Sequence, residues 1–162
     1  MNSVNSHDAV GDQVIGSAVD ALNQARIKDE LFKLAQQDSA FTFAGEQMQK
    51  VRDFIASPNN ILGSMSTKHG EIAEQLEVGV RNARQAIDEG LVDESALGAT
   101  FNGVGRTAPA DYKIDGIEVQ SKFINGINNN LTHVLKHMET YPDFTKGEQF
   151  YHIPKDTWQT IQ

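Results

Sequence analysis

Residues 108–123 of this chain read Ala108-Pro-Ala-Asp-Tyr-Lys-Ile-Asp-Gly-Ile-Glu-Val-Gln-Ser-Lys-Phe123. The pair Asp115-Gly116 is favoured in a two-residue type I′ turn, because both central residues of that turn need positive φ. Such a turn joins two antiparallel strands and sets their register. The facing pairs would be Ile114 with Ile117, Lys113 with Glu118, Tyr112 with Val119, and Asp111 with Gln120.

The predicted hairpin has one mostly apolar face and one polar face, because side chains alternate along a strand. The apolar face would carry Tyr112, Ile114, Ile117, Val119, Ser121 and Phe123. The polar face would carry Asp111, Lys113, Glu118, Gln120 and Lys122. A solvated polar face, cross-paired by its lysine and glutamate, is the structural alternative to a functional site here.

The polar face has the side chains that a hard divalent cation prefers. Mg²⁺ takes oxygen ligands and keeps several waters, so one or two carboxylates are enough to hold it. Asp111 supplies a carboxylate, Gln120 opposite it adds a carbonyl oxygen, and Glu118 is a spare carboxylate. The ammonium of Lys122, on the same face, would hold a phosphate or stabilise an attacking water. The pattern favours hydrolysis of a phosphodiester.

Two short runs on these strands, Pro109-Ala-Asp111 and Gln120-Ser-Lys122, carry a family resemblance. They resemble the PD-(D/E)xK restriction-endonuclease-like superfamily, most closely its Mrr-type variant in which glutamine replaces the second acid. Members of this superfamily have a glutamate-bearing helix, then a meander of strands with the Asp and the (D/E/Q)xK pair, then a second helix. The run Gly70-x-x-Ala73-Glu74 resembles that first helix, so Glu74 is the matching glutamate.

The resemblance covers residues 66–155 and implies a metal-dependent endonuclease, with DNA favoured over RNA. Mg²⁺ or Mn²⁺ would be held by Asp111, Gln120 and Glu74, with Lys122 as the fourth catalytic residue. Glu71 and Glu118 are the alternatives to Glu74. The candidate substrate contacts are Arg106, Asn128, Asn130 and His69.

The family further implies a cytoplasmic role in restriction, anti-phage defence or repair. It also implies a homo-oligomer or a partner subunit. The competing hypothesis is a catalytically inactive nuclease-fold module that acts as an interaction subunit of a larger complex.

Helix signals lie on both sides of the hairpin. Apolar spacings of three and four predict an amphipathic helix over residues 8–37, and Thr42 would cap a second helix that ends near Ser57. A third helix would begin at Ser66 or Thr67 and end before Gly90. Its predicted buried stripe is Ile72, Leu76, Val80, Ala83 and Ile87.

A further helix follows the hairpin. It would bury Leu131, Val134, Leu135 and Met138 and leave His133, Lys136 and His137 on a basic edge. Because this helix follows the Gln-x-Lys strand, its N-terminus would lie beside the scissile phosphate. Backbone amides at a helix N-terminus suit anions.

Residues 99–108 are glycine-rich and fit a loop as well as a strand. Residues 149–153 predict a strand beside the hairpin, and Pro154 begins a short helix. The chain stops one or two turns into that helix, which favours a piece cut from a longer protein. We therefore expect an α/β (α+β) fold with a small mixed sheet flanked by helices over residues 66–162. A helical segment, serving as a lid, docking unit or bundle fragment, would occupy residues 1–65.

Composition narrows the functional classes. A chain of 162 residues, 39% hydrophobic, is long enough for one sizeable core. No run approaches the roughly 18 apolar residues of a membrane span. The absence of cysteine excludes disulfides and thiolate metal sites and is compatible with the cytoplasm. A net charge of −8 argues against a general nucleic-acid-binding surface, so we expect a basic domain or partner to supply DNA affinity.

Overall fold

The structure is a computed structural model that describes residues 6–57, 68–105, 109–124 and 126–161. Contacts divide the chain into two units, Met1–Ser39 and Ala40–Gln162. The boundary predicted between residues 65 and 66 lies outside the described residues. Among the described residues, no helix combines the length and apolar content needed to cross a membrane.

Helix α1 spans Ser6–Ala56 as one continuous element. The prediction of two helices, one over residues 8–37 and one capped by Thr42, is therefore wrong. At the expected junction, the Ser39 hydroxyl donates to the Ala35 carbonyl one turn back (2.9 Å), so it is satisfied inside the helix. No glycine or proline between residues 37 and 42 supplies a break.

In the first unit, every side chain that the structure describes, over residues 17–39, is exposed. Six of these side chains are large and apolar: Val19, Leu22, Ile27, Leu31, Phe32 and Leu34. Over these residues the helix therefore buries no apolar face.

The second unit contains a four-stranded mixed sheet in the order β1-β2-β3-β4. The strands are β1, Ala99–Thr100; β2, Tyr112–Ile114; β3, Ile117–Ser121; and β4, Phe150–His152. The first three form an antiparallel meander, and β4 runs parallel to β3. The glycine-rich segment after residue 98 therefore begins with a short strand, and the strand predicted over residues 149–153 is confirmed.

The hairpin of β2 and β3 has the predicted register. Tyr112 pairs with Val119, Lys113 with Glu118 and Ile114 with Ile117. The two turn residues have the positive φ that a type I′ turn requires, +51° at Asp115 and +82° at Gly116.

In the described part of the second unit, three helices alternate with the strands. Helix α2 spans Lys68–Glu89, α3 spans Ile127–Thr140 and α4 spans Lys155–Ile161. A short 3-10 turn, Glu94–Ala96, precedes β1. The order α2, meander, α3, β4, α4 gives a mixed α+β fold that is mostly helical, as predicted at this coarser level.

The main core lies between α2 and the apolar face of the hairpin. Val78 of α2 packs with Ala99, Tyr112 and Val119, and the last two are 0% exposed. The predicted apolar face is therefore confirmed at its centre. A second cluster joins α1 to α2 through small side chains: Ala44, Ala83 and Ala86.

The predicted buried stripe of α2 is confirmed at Ala83 and wrong at Leu76 and Ile87, whereas Ile72 and Val80 are half-buried. Leu76 and Ile87 are 39% and 42% exposed, while Val78, Gly79, Asn82, Ala83 and Ala86 are buried. Small residues let α1 approach closely. Asn82 pairs with the backbone of Ala99, donating to its carbonyl (2.9 Å) and accepting from its amide (3.2 Å).

The prediction for α3 is confirmed in part: Leu131 and Val134 are half-buried and His133 and Lys136 are exposed, but other positions differ. Leu135 is 60% exposed and Met138 is 39% exposed. Asn130 is buried instead, and His137 is half-buried rather than on an exposed basic edge. Hydrogen-bonding partners and aromatic neighbours, as well as aliphatic spacing, thus select the inward face of this helix.

Candidate active site

Asp111 and Gln120 are joined by a hydrogen bond on neighbouring strands. Asp111 directly precedes β2, and its amide donates to the Val119 carbonyl (2.8 Å). Its Oδ2 accepts from the Ser121 amide (2.7 Å) and from Gln120 Nε2. Gln120 Nε2 also donates to the Ser121 carbonyl (3.1 Å), which leaves the amide oxygen of this buried side chain as its candidate cation ligand.

Glu74 lies on α2, one turn before the core residue Val78. Burial, the Asp111 carboxylate and the Glu71 carboxylate together raise the pKa of Glu74 to about 8, while Lys122 opposes the shift. Glu74 therefore interacts with both Asp111 and Lys122.

Lys122 directly follows β3, where its amide donates to the His152 carbonyl (2.8 Å). Burial lowers the pKa of the Lys122 ammonium, and the nearby carboxylates of Asp111 and Glu74 partly offset that effect. Burial likewise raises the pKa of Asp111, against the hydrogen bond from the Ser121 amide, the charge of Lys122 and the hydrogen bond from Gln120.

Of the four residues that the sequence motif selected, Asp111 and Gln120 share a hydrogen bond, and the charges of Asp111, Lys122 and Glu74 act on one another. Burial raises the pKa of both half-buried carboxyl groups, and the Asp111 carboxylate raises the pKa of Glu74 further, so a bound cation would favour the ionised form of both. Their donor set, two carboxylates and an amide oxygen, suits Mg²⁺ or Mn²⁺, which keep several waters. In the part of the chain that the structure describes, no cluster of three or more His, Cys, Asp or Glu side chains is placed to hold a metal.

The two alternative acids have different positions. Glu71 lies one turn before Glu74 on α2 and acts on it electrostatically. Glu118 pairs with Lys113 nearer the hairpin turn and borders a surface depression there with Glu148 and Gln149. Glu74 is therefore the better candidate for the third ligand.

The four predicted substrate contacts have different outcomes in the structure. Asn130 is 1% exposed, and its amide bonds the Ile124 amide (2.9 Å), the Ile124 carbonyl (2.7 Å) and the Thr157 hydroxyl (3.2 Å). Its side chain is therefore used internally, and its backbone amide donates to the Gly126 carbonyl (3.0 Å), so the predicted phosphate contact finds no free donor at Asn130. Asn128 is exposed in the first turn of α3. Arg106 and the side chain of His69 lie outside the described residues.

Sequence reasoning missed a histidine–tyrosine pair beside the site. His137 Nδ1 lies 2.7 Å from the Tyr151 hydroxyl, and Tyr151 is the β4 partner of Gln120. Burial and the charge of Lys122 lower the pKa of His137, while the Pro109 carbonyl opposes the shift. The sequence shows a tyrosine in the predicted strand. Its position next to Gln120 depends on the strand order and register, which the sequence does not show.

A second missed contact supports the core beneath the site. The buried Tyr112 hydroxyl lies 2.6 Å from His152 Nδ1, and Glu77 lies 3.9 Å from the same nitrogen. Glu77 also pairs with Arg81 on α2. Burial and the Glu77 and Glu74 charges raise the pKa of Tyr112, so this hydroxyl stays protonated.

Comparison with known proteins finds no match among protein-family models, curated proteins or solved structures.

Proposed function

We propose that this protein is a metal-dependent endonuclease that hydrolyses phosphodiester bonds, with DNA the favoured substrate. The observation that carries the proposal is the hydrogen bond between Gln120 and Asp111 on neighbouring segments, supported by the electrostatic influence of Asp111 and Lys122 on Glu74 of α2. Neighbouring polar residues of one hairpin would meet without any function. The hairpin does not require a half-buried glutamate on a neighbouring helix. Its raised pKa is typical of a catalytic or metal-binding site.

The order of elements supports the restriction-endonuclease-like assignment. Helix α2 carries Glu74, the antiparallel meander carries Asp111 and Gln120-Ser-Lys122, and α3 follows. This is the order of elements that the resemblance implies. It includes a strand whose glutamine lies beside the aspartate.

Each residue has a role that follows from its chemistry. Asp111 and Glu74 would hold the cation through carboxylate oxygens, and Gln120 would add its amide oxygen. When bound, the cation supplies a water of lowered pKa and polarises a phosphoryl oxygen. The Lys122 ammonium stabilises the negative charge that develops at the phosphorus centre, and its half-burial strengthens that interaction.

Plasmid cleavage tests this proposal. Wild type should nick or linearise plasmid DNA with Mg²⁺ or Mn²⁺ and lose activity on EDTA addition. Asp111→Ala should reduce cleavage to background, and Lys122→Ala should slow it by about 100-fold to 1000-fold, the usual effect of removing one transition-state donor. Lys113→Ala, a lysine on the paired strand nearer the turn, is the matched control and should cleave normally. Full activity in both site variants would defeat the assignment.

The second candidate is an interaction module that has the nuclease fold without the reaction. The exposed apolar side chains of residues 17–39 favour it, because such residues commonly mark a protein-binding surface. Neutral Gln120, in place of a second acid on the hairpin, points the same way.

Metal titration separates the two candidates without a substrate. A catalytic site should raise the melting temperature as Mn²⁺ binds the native state, and Asp111→Ala should abolish that shift. An interaction module should melt at the same temperature with and without the ion.

A further inference from the structure

His137 is held in one orientation on the side of α3 that faces β4. Its Nδ1 lies 2.7 Å from the Tyr151 hydroxyl. Three aromatic rings surround the imidazole, with centroids 4.7 Å away at Tyr141, 5.2 Å at Phe144 and 5.4 Å at Tyr151. A hydroxyl that donates to Nδ1 leaves the imidazole proton on Nε2.

Tyr151 connects this imidazole to the proposed cation site. In the parallel pairing of β3 and β4, Tyr151 is the register partner of Gln120, and Ser121 is the partner of His152. Register partners on adjacent strands project from the same face of a sheet. The Tyr151 side chain therefore lies alongside Gln120, whose amide bonds Asp111.

The imidazole also interacts with two other parts of the site. His137 interacts with the charge of Lys122 and with the carbonyl of Pro109, two residues before Asp111. Its Nε2 is buried and makes no hydrogen bond of full geometry, and the Pro109 carbonyl is a weaker polar neighbour of the ring. An unsatisfied buried nitrogen is costly, so its presence at this place calls for an explanation.

We propose that His137, oriented by the Tyr151 hydroxyl, is a positioning residue that holds the Asp111 segment and the Lys122 side chain in their working arrangement. This inference rests on the proposed nuclease function and deepens it. The imidazole bridges α3, β4 and the segment before β2, and so couples three elements that each carry or adjoin a site residue. In metal sites, outer partners of this kind orient the groups that do the chemistry.

Variants at both ends of the contact test the proposal on the full chain. Tyr151→Phe removes only the hydroxyl, and His137→Leu removes both ring nitrogens. Each should lower kcat for Mn²⁺-dependent plasmid cleavage by about 10-fold to 100-fold, the usual effect of losing such a partner, with KM for DNA unchanged. His137→Gln keeps an N–H donor near the Nε2 position and should recover part of the loss. His133→Leu, an exposed histidine one turn earlier on α3, should cleave as wild type does.

Amide hydrogen exchange provides a readout that needs no activity. The Ser121 amide bonds Asp111 Oδ2, and the Asp111 amide bonds Val119. Both amides should exchange several-fold faster in Tyr151→Phe and His137→Leu, and at the wild-type rate in His133→Leu. Unchanged kcat together with unchanged exchange in both site variants would overturn the positioning role. If wild type fails to cleave DNA, the nuclease proposal fails, and the exchange rates alone decide whether His137 braces the Asp111 segment.

Discussion

Glu74 illustrates how one buried carboxyl group links the site to the stability of the fold. Its pKa of about 8 exceeds the ordinary glutamate pKa of 4.5, chiefly because of burial and then because of Asp111 and Glu71. The folded state therefore keeps a proton that the unfolded state releases. By linkage, this retained proton contributes to the free energy of unfolding. The contribution is complete below pH 4.5 and is lost as the pH rises through about 8.

We expect Glu74→Gln to remove that pH dependence, because glutamine resembles the protonated acid and cannot ionise. Urea unfolding of metal-free protein at several pH values from 5 to 9 would measure it. The wild-type free energy of unfolding should fall relative to that of the variant as the pH rises. Parallel profiles for the two proteins would show that Glu74 ionises normally.

Asn130 tests whether the first turn of α3 serves structure or substrate. Its side chain satisfies both the amide and the carbonyl of Ile124 and also contacts Thr157. Asn130→Ala leaves these buried groups without partners and should destabilise the protein by about 2–3 kcal/mol, in the range measured for unsatisfied polar groups.

Denaturant unfolding would measure this loss. Asn128→Ala, two residues earlier and exposed, is the control and should change stability by less than about 0.5 kcal/mol. A phosphate-binding role for Asn130 would instead show as weaker substrate binding by a protein of normal stability.

At the level of elements, the approach of α1 to α2 depends on a glycine. A Cβ at Gly79 would overlap the side chain of Val51, which is 4% exposed. Gly79→Ala gains up to about 1 kcal/mol of helix propensity, but overpacking of this kind typically costs about 1–3 kcal/mol. We expect net destabilisation.

Gly45 is the matched control for that substitution. It lies inside α1, and a Cβ there would meet nothing within 4 Å. Gly45→Ala should therefore stabilise the protein by up to about 1 kcal/mol. Urea midpoints that rise for both variants would mean that the helices separate easily enough to accept the extra methyl group.

The hairpin and α3 mark the two extremes of what the sequence predicted about elements. The hairpin was predictable because a turn dipeptide and a period of two are local signals. Helix α3 was located correctly, but its inward face was predicted only in part, because Asn130 and His137 have partners on residues 124, 151 and 157. Aliphatic spacing carries no information about such distant partners.

At the scale of the whole molecule, net charge governs the encounter with DNA. A net charge of −8 repels the phosphate backbone, and the site itself contributes acids to that total. We expect the protein alone to bind DNA weakly at about 150 mM salt, since strong binding requires several lysine or arginine contacts to phosphates.

Fluorescence anisotropy with a labelled duplex and the non-cleaving Asp111→Ala variant would measure that affinity. Binding should become tighter as salt is lowered and should improve when a basic partner is supplied. Tight binding of the variant alone at moderate salt would contradict the expectation of a partner.

Local chemistry in the chain was sufficient to specify the hairpin, its register, its two faces and the aspartate–glutamine–lysine set on the polar side. Those features depend on φ preferences and on alternation over a few residues, which any segment carries within itself. Long-range packing decided the rest: the pairing of β1, the burial of Asn82 and Asn130, and the place of His137 beside Tyr151. Packing also set α2 against the hairpin through Val78, Tyr112 and Val119, so that the charge of Asp111 acts on Glu74.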